Sequence, residues 1–309
     1  MSVVYIFLYF IIGSVVFSIC GLLAMWVDRK VTARLQFRVG PPWYQNFADL
    51  AKLAGKEVLI PAKANFFLFV SAPVVSVIAA ITSGTILLFA LKTGVGSPAD
   101  IILLLYLLII PSLAIILGGS ASGNVLASVG ISREIKILLG YELPFICALI
   151  IPALRSGVTT SLVNIINFQN TNGIILGSFS GVIGFLIAIF SLQGKIGFVP
   201  FDLAEAETEI AGGAFIEYSG ILLGLFKLTR AILLIVGPLF LICLYFGGIN
   251  FSSFTGIVLG VLKYVLILIL FILIKNTNPR LRIDQALKFY WGWLTLFGLI
   301  GILLAAKGW

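Results

Sequence analysis

Apolar residues occur along this chain in long unbroken stretches, not in the alternating or one-faced patterns of soluble strands and helices. Stretches of suitable length lie near residues 3–27, 66–91, 100–118, 134–155, 173–192, 219–246, 254–275 and 286–306, separated by polar or Gly/Pro-rich breaks. A helix needs roughly 20 apolar residues to cross the hydrocarbon layer of a bilayer, so each stretch predicts one crossing. The prediction is an all-α membrane protein: a single polytopic domain over residues 1–309 with about eight transmembrane helices. The first stretch has no basic residue before it and is longer than the apolar part of a signal peptide, so it is read as a retained span. One connection has a different period. Between residues 28 and 65, Phe47, Leu50, Ala51, Ala54 and Val58 share one helical face while Asp49, Lys52 and Lys56 share the other, which predicts an amphipathic helix lying at the membrane interface.

Composition agrees with lipid as the solvent. The 309 residues are 61% hydrophobic and 10% charged, with a mean hydropathy of +1.18, more apolar surface than one soluble core encloses. A net charge of +8 would suggest nucleic acid in a soluble protein, but here the basic residues flank the hydrophobic runs, so no nucleic-acid partner is expected. Alternating the connections gathers Arg29, Lys30, Arg34, Arg38, Lys52, Lys56, Lys63, Arg133, Lys195, Arg280 and Arg282 into the segments 28–65, 119–133, 193–218 and 276–285. The positive-inside rule assigns these segments to the cytoplasm and both the N and C termini to the outside. The chain has no His, and Cys20, Cys147 and Cys243 sit in apolar runs without disulfide or metal-ligand spacing. No cofactor is therefore expected in this chain.

Charge is unevenly placed. Asp202, Glu205, Glu207, Glu209 and Glu217 put five of twelve acids within sixteen residues, and no Lys or Arg lies between Lys195 and Lys227. If the segment is helical, Glu205 and Glu209 share a face with Asp202 one turn before, and such carboxylates would titrate as a coupled group able to hold and pass protons. Phe198, Val199, Phe201, Ile210 and Phe215 interleave the acids, which a merely solvated loop does not require. Four further charges fall at membrane depth: Glu142 in the fourth span, Lys227 and Arg230 in the sixth and Lys263 in the seventh. A charge at the bilayer centre costs at least about 2.5 kcal/mol, so these residues must face partners or water inside the bundle. They fit either an ion pathway or static pairs such as Glu142 with Lys227 or Arg230. The segment Arg38-Val-Gly-Pro-Pro-Trp-Tyr-Gln45 joins a rigid turn to aromatic side chains and suggests a docking surface that includes Gly40, Pro41 and Trp43. Gly118-Gly-Ser-Ala-Ser-Gly-Asn124 lacks the ending of a phosphate loop and fits close helix packing.

Taken together, these stretches resemble the H-type membrane subunits of NADH:quinone oxidoreductase and their relatives in membrane-bound nickel-iron hydrogenases. The likeness rests on Asp28-Arg29-Lys30, on Ala48-Asp49 with Lys52-Leu53 and Lys56-Glu57, and on Gly118–Asn124 with Arg133 and Tyr141-Glu142. It extends to Asp202-Leu-Ala-Glu-Ala-Glu-Thr-Glu209 with Glu217-Tyr218, and to Pro279-Arg-Leu-Arg-Ile-Asp-Gln285, in order along most of the chain. The compact Gly-Pro-Pro turn, and Arg230-Ala231 where quinone-reducing members have a glutamate followed by tyrosine, look like the hydrogenase-type form. The resemblance implies a non-catalytic anchor and coupling subunit in a prokaryotic cell membrane. It implies peripheral partners carrying iron-sulfur clusters and a nickel-iron centre, ferredoxin as donor, protons as acceptor and antiporter-like membrane neighbours that move protons or sodium. Asp28, Arg29, Arg34, Arg38, Gly40, Pro41, Trp43, Arg280, Arg282 and Asp284 would dock the partners. Glu142, Asp202, Glu205, Glu207, Glu209, Glu217, Lys227, Arg230 and Lys263 would carry the coupling. The sequence also fits a quinone-site subunit, a subunit of a related sulfur-reducing complex, or a stand-alone secondary transporter.

Overall fold

The computed structural model describes residues 3–97, 99–205 and 207–308, without the side chains of residues 3–7, 207 and 208. Among the described residues, eight helices are long and apolar enough to cross a membrane. They are α1 (Val3–Leu35), α3 (Phe66–Thr93), α4 (Asp100–Ala121), α5 (Val125–Arg155), α7 (Phe179–Ile196), α9 (Gly220–Tyr245), α10 (Phe254–Thr277) and a final span over Ile283–Ala306. That last span starts as α11 (Ile283–Leu287), widens into π-helix over Lys288–Leu294 and finishes as α12 (Thr295–Ala306). Between spans lie α2 (Gln45–Ala54), α6 (Leu162–Asn172) and a single turn, α8 (Glu207–Ile210). No strand occurs among the described residues.

The most enclosed helix is α9. Phe240, Leu241, Ile242, Cys243, Leu244 and Tyr245 are all fully buried, and α9 packs against α1, α3, α7 and α10. By contrast α1, α10 and α12 turn large apolar side chains outward, among them Ile12, Leu262 and Leu303, as expected where the surroundings are lipid or neighbouring apolar helices. Close approach depends on glycine where a Cβ would strike backbone. At Gly21 it would lie 2.7 Å from the Ala231 carbonyl oxygen, so α1 can seat against α9 only without a side chain there. The segments 36–65, 122–124, 197–219 and 278–282 come together at one end of the bundle, the loop end. Hydrogen bonds stitch the loop end: Asn65 N to Ala121 O at 2.9 Å, Leu59 N to Ser219 Oγ at 2.9 Å and Leu281 N to Pro200 O at 3.1 Å.

Several boundaries differ from the hydropathy pattern for identifiable reasons. Helix α5 begins at Val125, not near 134, because Asn124 caps it by accepting from Leu126 N at 2.8 Å. The break at 119–133 thereby shrinks to three residues, and Arg133 and the following Glu134 become helical. The first span continues past its basic triplet to Leu35. The interfacial helix stops at Ala54, short of Val58, and the face it packs is Asn46, Leu50 and Leu53, not the face carrying Ala51 and Ala54, which stay exposed. Leu50 and Leu53 meet α9 at Gly224, and the buried Asn46 amide donates to Leu22 O at 2.9 Å. A polar side chain at the centre of that face satisfies a carbonyl of α1, a gain that a hydrophobicity pattern does not register.

Candidate functional site

The segment from Gly197 to Ser219 folds back onto the loop end of the bundle. Phe198, Phe201, Leu203 and Ile210 are buried, and Phe201 packs against Tyr290 at a centroid separation of 4.7 Å. Tyr218 stacks on Phe69 at 4.2 Å and donates its hydroxyl to Phe69 O at 3.1 Å. At Gly130 of α5 a Cβ would fall 2.6 Å from Ala214 N, so the loop backbone lies directly on that helix.

This seating separates acids that lie close in sequence. Residues 202–205 are not helical, and three of the carboxylates each meet a different arginine. Asp202 meets Arg280 at 2.8 Å, Glu205 meets Arg230 at 2.7 Å and Glu209 meets Arg133 at 2.5 Å. A shared face for Glu205 and Glu209 is therefore not formed. Arg230 also donates to the Gly197 carbonyl that ends α7 and lies 5.1 Å from the centroid of the Phe198 ring. Glu142 pairs with neither Lys227 nor Arg230. Its partner is Lys195, at 2.6 Å, in the last turn of α7. The side chain of Lys195 is 2% exposed and that of Glu142 15%, and the ammonium also lies 5.1 Å and 4.8 Å from the ring centroids of Tyr141 and Phe145.

Beneath the loop is a cavity of about 260 Å³ whose wall includes Glu134, Lys195, Asp202, Glu205, Lys227 and Arg230. Three acids and three bases therefore line one space between α3, α4, α5, α7, α9 and the loop. Such a mixture of charges at a membrane-embedded site makes local protonation states and side-chain positions interdependent. Two residues of this wall are not among those the sequence singles out: Glu134, adjacent to Arg133, and Lys195, which by sequence counts only as a flanking charge.

The remaining candidates are dispersed. Glu217 accepts from Asn124 Nδ2 at 2.5 Å, tying the loop to the α5 cap. The side chain of Glu207 lies outside the described residues. Lys227 is exposed at the cavity wall and has no ion pair among the described residues. Lys263 donates to Phe246 O and Gly248 O at 2.7 and 3.0 Å, holding the end of α9 away from the loop end. Asp28 points inward, 3% exposed, and pairs with Lys275 at 2.7 Å. Arg29 pairs with Asp49 at 3.1 Å. Burial alone would raise the Asp49 pKa, but hydrogen bonds from Arg29 and Gln45 outweigh it and hold the carboxyl below its usual range. Arg34, Arg38 and Trp43 are exposed beside Phe37 and Val39, and Gly40 takes a left-handed φ of 74° to turn the chain so that Pro41 accepts from Trp26 Nε1 at 3.1 Å. Arg282 and Asp284 form an exposed pair at 3.4 Å. No group of three His, Cys, Asp or Glu side chains that could hold a metal occurs among the described residues.

The two ends of the acidic loop respond to pH with opposite sign. Burial and then the charge of Glu205 push the Asp202 carboxyl up to about 6, against the restraint of Arg230 and Arg280. A raised acid holds its proton more tightly in the seated loop than in a detached one. Its contribution is therefore full at low pH and is lost as pH rises through about 6. The Arg133 hydrogen bond and charge hold Glu209 below its ordinary 4.5, so its contribution is present above that value and lost as pH falls through it. Hydrogen-exchange protection of loop amides, corrected for intrinsic rate, should therefore peak in mildly acidic conditions. Asp202→Asn should remove the decline that runs from the ordinary value of 3.8 up to about pH 6, and a protection profile flat across this range in the unaltered protein would contradict this account.

Residues 7–306 match a protein-family model described as NADH dehydrogenase. The chain is 33% identical to the H subunit of the NADH-quinone oxidoreductase of Syntrophotalea carbinolica, with 96% of this chain and 94% of the relative covered. It is 34% identical to subunit 8 of the NADH-quinone oxidoreductase of Thermus thermophilus, covering 91% and 80%. Among solved structures it superimposes on a chain of the membrane-bound sulfane sulfur reductase, an archaeal respiratory membrane complex, with a TM-score of 0.86, 28% identity and coverage of 97% and 99%.

Proposed function

The chain belongs to the NADH dehydrogenase family, and from that premise we propose that it anchors the peripheral redox arm of an ion-translocating membrane complex and couples that arm to the membrane. The observation that carries this reading is the cavity beneath the acidic loop, where Glu134, Lys195, Asp202, Glu205, Lys227 and Arg230 share one wall at the loop end of the bundle. A partner pressing on the loop end at Arg34, Arg38, Phe37 and Trp43, which offer exposed charge and aromatic surface, would bias the position of Asp202 and Glu205 against their arginines. Movement of one pair changes the field at the others, because the cavity screens charges weakly compared with water. The loop end faces the cytoplasm in this reading, since it carries most of the basic residues. Coupling in this sense requires an element with two arrangements that both sites bias, and the loop is that element.

For the complex itself, the compact Arg38–Gln45 turn and the cation at position 230 favour a hydrogenase-type assembly, with ferredoxin as donor, iron-sulfur clusters and a nickel-iron centre in the peripheral subunits, and antiporter-like neighbours that move protons or sodium. The structural match to a sulfane sulfur reductase favours a second reading, in which the peripheral arm of a similar complex reduces sulfur species. Purification in mild detergent, with metal analysis and acceptor assays, separates them. Nickel and iron co-purifying with proton-reducing activity support the first, and iron without nickel, with sulfur-reducing activity, supports the second. Recovery of the chain alone or as a homo-oligomer would overturn the coupling role. With the complex in hand, Glu142→Gln should lower the number of ions moved per electron in sealed vesicles, and an unchanged ratio would count against the coupling path.

A further inference from the structure

The three carboxylates on the cavity wall are not held alike. Asp202 and Glu205 each face an arginine, whereas Glu134 forms no ion pair among the described residues and lines the same cavity as the Ser112 hydroxyl. Ser112 is 2% exposed and lies 2.9 Å from the hydroxyl of the fully buried Tyr141. On the same wall Ser76, completely buried, has a hydroxyl oxygen with no protein partner. Helices α3, α4 and α5 thus each contribute a hydroxyl or carboxyl to the cavity wall.

We propose that Glu134 is the proton-exchanging carboxyl of this cavity, with Ser112 and Tyr141 as its positioning residues, while the neighbouring ion pairs set the field it titrates in. An acid paired with arginine can take a proton only by leaving that cation unpaired in a poorly solvated place, which opposes the change. An acid without a cationic partner has no such obstacle. A hydroxyl on the same wall can donate to the carboxylate and, after rotating, accept from the carboxylic acid, so it can serve both states of Glu134. The only bond made or broken is the O–H bond of the Glu134 carboxyl, with the proton drawn from and returned to water reaching the cavity. The groups that face it are Glu205 and Asp202 from the loop, Arg230 and Lys227 from α9, Lys195 from α7 and Tyr141 on its own helix. Shifting Glu205 or Arg230 relative to α5 changes the proton occupancy of Glu134. In this way a movement of the loop is converted into uptake or release, which deepens the coupling role proposed above and rests on it.

The test uses the purified intact complex and pH-difference infrared spectroscopy, which detects a protonated carboxyl directly, beside ion-to-electron ratios in proteoliposomes. A protonated-carboxyl component that shifts in heavy water and persists in Asp202→Asn should be present in the unaltered complex and lost in Glu134→Gln. It should persist at a displaced frequency in Glu134→Asp, and its midpoint pH should move in Ser112→Ala and in Tyr141→Phe. The ion-to-electron ratio should fall several-fold in Glu134→Gln. A band unchanged in Glu134→Gln, or midpoints unmoved in the two hydroxyl variants, overturns the assignment. A complex that shows the band but moves no ions defeats the coupling role while leaving the proton site standing, so the two failures are distinguishable.

Discussion

Lys195→Met should be among the most destabilising single substitutions in this protein. Its ammonium is the only ion-pair partner of Glu142 among the described residues, at 2.6 Å, and the lysine side chain is 2% exposed. One oxygen of Glu142 already lacks a hydrogen-bond partner. Removing the lysine leaves a carboxylate inside the bundle with no compensation, and breaking one side of such a buried pair costs about 3–5 kcal/mol. The contacts of the ammonium with the rings of Tyr141 and Phe145 are lost as well. The double change Lys195→Met with Glu142→Gln should recover most of the loss, because the desolvation cost of both charges disappears together. Thermal unfolding of the purified complex gives the measurement for all three variants. If both single variants unfold at the temperature of the unaltered protein, the pair is not holding α5 to α7.

The second large effect is expected at Arg230, whose consequence should be functional more than structural. Its guanidinium bonds both to Glu205 and to the Gly197 carbonyl, and it faces Phe198, so one side chain fastens the start of the acidic loop to α9. Arg230→Met would leave Glu205 unpaired on the cavity wall, about 33% exposed and therefore partly relieved by solvent. The stability cost is consequently smaller than at Lys195, on the order of 1–3 kcal/mol for hydrogen bonds to a charged group. The loop, however, should lose its seat: exchange protection of residues 198–205 should fall, and ions moved per electron should drop sharply. Arg230→Lys keeps the charge but not the planar fork that reaches two acceptors, so it should give an intermediate result. Full coupling in Arg230→Met would show that the loop does not transmit through this contact.

Much of this is legible along the chain. Eight spans, the helix after the basic run and the seating of the acidic segment against the bundle follow from apolar stretch length and from apolar residues placed between acids. Phe198, Phe201 and Ile210 are indeed buried. What hydropathy does not register is how a helix end recruits polar residues. Asn124 caps α5 and makes Arg133 and Glu134 helical, so a residue next to a connection becomes part of the cavity wall. Lys195 is hidden for a related reason: a lysine in the last turn of a span looks like a flanking charge until a carboxylate from another helix is found beside it.

One-dimensional order thus determined that this chain lives in lipid, how many times it crosses and where its charge is concentrated, because those properties depend only on the length and composition of local segments. The pairing of the charges was decided by tertiary structure alone. Acids within a few residues of one another were distributed to Arg280 in the connection after α10, Arg230 on α9 and Arg133 on α5, and Glu134 was left without an ion pair among the described residues. Ion pairs form across a few ångströms of space between helices distant in sequence, and no local pattern records which helices become neighbours.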